Sequence, residues 1–115
     1  MNLPLQITFH GVTPSDAVAE KIRGRAGRLT RYCESIISCR VAVEAPHRHH
    51  AHGGHFRVRI EVSVPGERLI VGHDTDEHTM HADLYVAVRD AFDRVCRQLE
   101  SYTTRERAYL RSRFA

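Results

Sequence analysis

The sequence predicts an α+β domain in the order β-α-β-β-β-α, a four-stranded sheet with two helices packed on one of its faces. Three observations predict it. Four runs alternate apolar with polar residues, as strands with one buried face require. Two longer runs repeat apolar residues at spacings of three and four, as amphipathic helices do. No internal repeat, low-complexity linker or composition boundary divides the 115 residues, and that length suits one core and leaves no room for a second.

Leu3, Leu5, Ile7 and Phe9 alternate in the first strand. Thr13-Pro14-Ser15-Asp16 then starts a helix, because Thr13 or Ser15 can cap it, proline is tolerated in the first turn, and Asp16 suits the positive end of the helix dipole. The stripe of this helix is Val18, Ile22, Ala26, Leu29 and Cys33; Gly24 and Gly27 lower its intrinsic propensity, so tertiary packing must hold it. Ile37, Cys39, Val41 and Val43 alternate in the second strand, and a histidine-rich loop follows. The cleanest strand sets Phe56, Val58, Ile60, Val62 and Val64 on one side and Arg57, Arg59, Glu61 and Ser63 on the other.

Pro65-Gly66 is a strong turn signal, with proline pre-set for the first central position and glycine for the positive φ of the second. A short strand through Leu69 and Val71 should pair back on its predecessor. The last element, Asp83 to Glu100, places Leu84, Val88, Phe92, Val95 and Leu99 on one stripe and leaves Arg94 and Arg97 pointing elsewhere, free. Every strand alternates, so one sheet face needs a cover, which the helices supply, and the other stays open and polar.

Net charge is only +3, but sixteen of the seventeen basic residues are arginine. Arginine forks onto phosphate and stacks on bases as lysine does not, which tilts the reading toward RNA; high-GC coding produces the same bias. No apolar run approaches a membrane span and the N-terminus lacks the layout of a signal peptide, so a cytoplasmic protein is expected. Cys33, Cys39 and Cys96 form no C-x-x-C pair and read as small buried thiols. No nucleophile motif, P-loop or dinucleotide fingerprint is present, so neither an enzyme nor a small-molecule substrate is expected.

Five histidines lie in HRHHAHGGH (His47, His49, His50, His52, His55) and three in HDTDEHTMH (His73, His78, His81) beside Asp74, Asp76 and Glu77. A meander brings the first group, between strands two and three, to the same sheet end as the second, which follows strand four. Histidine with carboxylate is competent for zinc or nickel. Without fixed metal-ligand spacing, and with Gly53-Gly54 implying a mobile loop, the expectation is no metal or other cofactor and a pH-responsive, RNA-contacting loop.

The run Asp83-Leu84-Tyr85-Val86-Ala87-Val88, with Arg97-Gln98-Leu99 at its far end, resembles the second helix of the ribosome hibernation-promoting factors, also called sigma-factor modulation proteins. The segment from Gln6 to Ile37, ending in the R-L-x-R-Y pattern at Arg28 to Tyr32, resembles their first strand and helix. The resemblance spans nearly the whole chain and is weakest between Pro46 and His55. It implies binding to the small ribosomal subunit and its rRNA, where messenger and transfer RNA pass, with silencing of translation in dormancy by occlusion. Basic residues of the two helices would do this. Lys21, Arg25 and Arg28 share one flank of the first, with Arg31 just beyond; Arg94 and Arg105 lie three turns apart on the second, with Arg97 nearby.

After Leu99 the family usually continues with lysines, and here Glu100-Ser101-Tyr102-Thr103-Thr104 intervenes before Arg105, Arg107, Arg111 and Arg113, which questions how far the second helix reaches. Longer members carry a C-terminal domain that pairs two ribosomes. The expectation for residues 1–115 is the single ribosome-binding domain without it, with blockade alone or pairing by a separate ribosome-dimerising factor. The alternatives are a general RNA-binding domain of double-stranded-RNA type and a histidine-rich metal-binding protein.

Overall fold

A computed structural model describes residues 3–45, 56–74 and 83–114. Strand β1 (Leu5–His10) leads through Gly11, at φ 70°, into helix α1 (Asp16–Gly27) and a short 3-10 turn (Leu29–Arg31); β2 (Ser38–Glu44), β3 (Arg57–Val64), β4 (Glu67–Asp74) and α2 (Asp83–Phe114) follow. The sheet order is β1-β2-β3-β4, with β1 parallel to β2 and the other pairs antiparallel. A parallel pair needs a crossover, and α1 provides it.

Alternation decides the layers. Cys39, Val41 and Val43 of β2, Val58, Ile60, Val62 and Val64 of β3, and Leu69 and Val71 of β4 are buried on one face. Against them lie Val18, Ile22 and Ala26 of α1 and Leu84, Val88, Phe92, Val95 and Leu99 of α2. Each such apolar side chain contributes about 1.5–3 kcal/mol on burial. The Cys39 thiol, pushed up to about 12 by burial, behaves as one more small apolar group.

Local chemistry sets the boundaries. Ser15 is the cap of α1, its hydroxyl accepting from the Val18 N–H at 3.3 Å. The helix ends at Gly27, although its stripe continues: Arg28 stays in the helical region (φ −82°, ψ −14°), and the tighter turn that follows still buries Leu29 and Cys33. Gly66, at φ 87°, occupies the turn position where only glycine is unstrained.

Four expectations need correction. Strand β4 runs eight residues, past Val71 to Asp74, so His73 belongs to the strand and not to the segment after it. Ile37 precedes β2 and is 56% exposed, so it leaves the apolar row that begins at Cys39. The outer sheet face is polar except for Ala42 and Ile70, the latter 54% exposed. Helix α2 passes without a break through Ser101–Thr104, because that turn is anchored: the Tyr102 hydroxyl donates to Pro65 O at 2.8 Å and the Thr103 hydroxyl to Tyr32 O at 3.0 Å. At 32 residues the helix is about 48 Å long, and beyond Tyr102 its side chains are no longer buried.

Candidate functional site

Helix α1 and the turn after it present Lys21, Arg28 and Arg31 as exposed cations with no ion pair or hydrogen bond among the described residues. Arg25, closer to the apolar stripe, is half-buried, and its Nη1 lies 3.9 Å from Asp93 Oδ1 of α2. The seam between the helices also contains Cys96. Burial first, then the Asp93 and Glu100 carboxylates, raises its thiol above the ordinary range, while Arg25 and a hydrogen bond with Tyr32 pull the other way. Carboxylates therefore temper the basic row where the two helices meet.

The arginines of α2 are placed differently. Arg94 Nη1 donates to Gly72 O of β4 at 2.7 Å, and Arg105 Nη1 stands 3.3 Å from Glu67 Oε1, also of β4. Both thus lean toward the outer strand, on the side of α2 away from α1. Arg97 is exposed and without a partner among the described residues. The expectation of free arginines holds for Arg97 and needs correction for Arg94. The structure brings Lys21, Arg25, Arg28 and Arg31 together along one element, and Arg94, Arg97 and Arg105 along another, with the outward stripe of α2 between the two groups.

Two basic residues outside the expected set join these rows. Arg107 lines a cleft of about 630 Å³ with Arg31, Tyr32, Tyr102 and Leu110, and Arg68 of β4 lines another with Arg97 and Arg105. Arg107 follows Cys96, Glu100 and Thr103 by eleven, seven and four residues, so helical phase alone places it on the α1 side. Arg68 has no such signal, because cross-element neighbours are set by packing. Tyr85, within the run that resembles the family's second helix, is 39% exposed.

Among the described residues no three histidine, cysteine or carboxylate groups are gathered as metal ligands. His73 Nε2 lies 3.8 Å from Asp90 Oδ2, a pair without a third ligand among the described residues. The histidines from His47 to His55, with His78 and His81, lie outside the described residues. No helix among the described residues is long and apolar enough to cross a membrane.

Two helices on one face of a four-stranded mixed sheet, with basic rows along both, can now be set beside known proteins. Residues 5–107 match the family described as sigma 54 modulation protein / S30EA ribosomal protein. The chain belongs to that family. A curated relative, the ribosome hibernation promotion factor of Deinococcus radiodurans, is 29% identical over 100 residues, covering 87% of this chain and 49% of that protein. The chain therefore spans about half the length of this relative. The N-terminal domain of Thermus thermophilus protein Y superimposes with a TM-score of 0.67 at 24% identity, over 89% of this chain and 99% of that one. A ribosomal subunit interface protein from Coxiella burnetii gives 0.72 at 20%, again over 89% and 99%. Both share the fold of this family member.

Proposed function

We propose that this chain is a cytoplasmic ribosome-associated factor that binds the small subunit in the channel for messenger and transfer RNA and silences translation in dormancy. The match of residues 5–107 to the S30EA family carries this reading, supported by the name of the Deinococcus radiodurans relative. Lys21, Arg25, Arg28 and Arg31 on one side, and Arg94, Arg97 and Arg105 on the other, are the proposed rRNA contacts. Arg94 suits the task despite its bond to Gly72 O: a neutral carbonyl takes one of five guanidinium donors and cancels no charge. Arg105 would exchange an exposed ion pair worth about 0–1 kcal/mol for a phosphate.

The mechanism is occlusion and needs no catalytic group. Affinity comes from neutralising phosphates, and specificity from the shape of the channel rather than from base readout. The test is co-pelleting with ribosomes at several salt concentrations, paired with in vitro translation. Association with small subunits that weakens steeply with salt, together with inhibition, is expected because each phosphate contact releases counterions. Absence of inhibition at saturating protein would defeat the proposal.

A further inference from the structure

Strand β4 ends the sheet order, so one of its edges has no strand beside it among the described residues. The register identifies the backbone groups on that edge. Val64 and Glu67 flank the Pro65-Gly66 turn, and the pair that closes a two-residue hairpin exchanges both hydrogen bonds. Leu69 and Val71 are then the bonded partners of Val62 and Ile60, while Arg68, Ile70 and Gly72 turn their N–H and C=O groups outward. Two bonds support this phase independently. Ile37 N–H donates to Ser63 O at 2.7 Å, so Ser63, opposite Arg68, directs its carbonyl to the β2 side. Arg94 donates to the outward Gly72 O.

Helix α2 runs above this edge. Between them lies a cleft of about 540 Å³ with Leu69 and Ile70 on its strand side, Gln98 and Ser101 on its helix side, and Arg97 and Arg105 at its rim, where an incoming carboxylate would displace Glu67 from its exposed 3.3 Å pair with Arg105. Arg94 occupies the edge at Gly72, and the outward groups of Arg68 and Ile70 form a short ladder without a partner among the described residues.

We propose that the β4 edge docks an extended acidic peptide segment, which adds as a fifth strand along Arg68 and Ile70 and directs its carboxylates to Arg97 and Arg105 on the helix side. Alternate peptide side chains would enter the cleft over Leu69 and pack on the exposed Ile70. The charge pattern selects this occupant. A second copy paired β4 to β4 would turn Arg94, Arg97 and Arg105 of each α2 toward the same row in the other. RNA offers acceptors to the guanidiniums but no backbone ladder that donates to the outward carbonyls.

The test is fluorescence anisotropy of a labelled peptide of alternating aspartate and valine, titrated with the full chain. Three controls accompany it: the same peptide with lysine for aspartate, one N-methylated at alternate residues, and the variant Ile70→Pro. Proline is tolerated where a strand N–H faces outward, so this change removes a docking donor and spares the bonds to β3. Saturable binding is expected, weakened at least about tenfold by N-methylation or Ile70→Pro and absent for the lysine peptide. Equal binding of the N-methylated peptide, with displacement by a short RNA, would make the edge a general anion surface and overturn the proposal. So would a dimer in sedimentation velocity that Ile70→Pro dissociates. Should Ile70→Pro fail to fold, the N-methylated peptide on the parent protein decides alone. No ribosome enters the assay, so its outcome stands apart from the proposed function.

Discussion

The basic row of α1 and the basic row on the β4 side of α2 are built from nearly the same residue type at helical spacings, yet they end in different states. Lys21, Arg28 and Arg31 stand in solvent with no partner among the described residues, whereas Arg94 and Arg105 are drawn onto β4 by Gly72 O and Glu67. The cause is position relative to the sheet. Helix α1 turns its row up and toward α2, where Asp93 reaches only Arg25. Helix α2 overhangs an edge strand whose outward carbonyls are within reach of a long side chain. The Arg94 guanidinium, beside the open strand edge, finds a backbone partner, and those of Arg28 and Arg31 above the paired part of the sheet find none among the described residues.

The largest effect should come from the α1 row. Arg25→Glu with Arg28→Glu should weaken ribosome co-pelleting by roughly a hundredfold, since two charge-assisted contacts are each worth about 1.5 kcal/mol. Melting should hardly change, because both positions lie outside the buried stripe of Val18, Ile22 and Ala26. A double variant that still co-pellets and still inhibits translation would shift the contact surface to the β4 side of α2.

A smaller effect, of a different kind, should follow from the α2 row. Arg94→Ala removes a 2.7 Å charged hydrogen bond and should lower stability by about 1 kcal/mol, the low end for such bonds because the site is exposed. Arg28→Ala, by contrast, should leave the melting temperature where it was. Matched thermal melts of the two variants test the comparison directly, and equal shifts would dissolve the distinction between a tied row and an open one.

Smaller still is the Arg105–Glu67 pair, at 3.3 Å with both side chains well exposed. A double-mutant cycle with Arg105→Gln and Glu67→Gln should return a coupling of about 0.5 kcal/mol or less, shrinking with salt. A coupling above about 1.5 kcal/mol would mean that Arg105 is structural, and would remove it from the proposed rRNA contacts.

These differences mark how far the sequence could be read. Alternation in Val58 to Val64 and the period of Leu84 to Leu99 specify the layers, because burial acts on every second or every third-to-fourth residue. The two rows of cations were also visible as rows. Their partners were not: Gly72 is 22 residues from Arg94, and nothing in either local pattern encodes the contact. The end of α1 at Gly27 was hidden for a related reason, since a 3-10 turn keeps Leu29 and Cys33 on the apolar side and so preserves the period across the break. The continuation of α2 through Ser101–Thr104 depends on the hydroxyls of Tyr102 and Thr103 meeting Pro65 and Tyr32, again from distant parts of the chain.

The smallest effect is expected on the open face of the sheet, where Arg59 offers the sharpest control. Its register neighbours are Ala42 on β2 and Gly72 on β4, neither of which has a side chain that can pair with a guanidinium. Glu61 shares its face two residues on and Glu44 lies diagonally across on β2, but neither forms an ion pair with Arg59 among the described residues. Cross-strand charge pairs on exposed faces contribute about 0.2–1 kcal/mol even when formed. Arg59→Gln should therefore change stability by less than about 0.5 kcal/mol. If the helices carry the rRNA contacts, it should also leave ribosome co-pelleting nearly intact at every salt concentration, while the α1 double reversal weakens it roughly a hundredfold. Arg40, Arg57, Arg59 and Arg68 give the sheet face at least as many arginines as the α1 row, so charge count alone does not separate the two surfaces, and this variant does. A large loss of binding with an unchanged melt would move the RNA surface from the helices to the sheet.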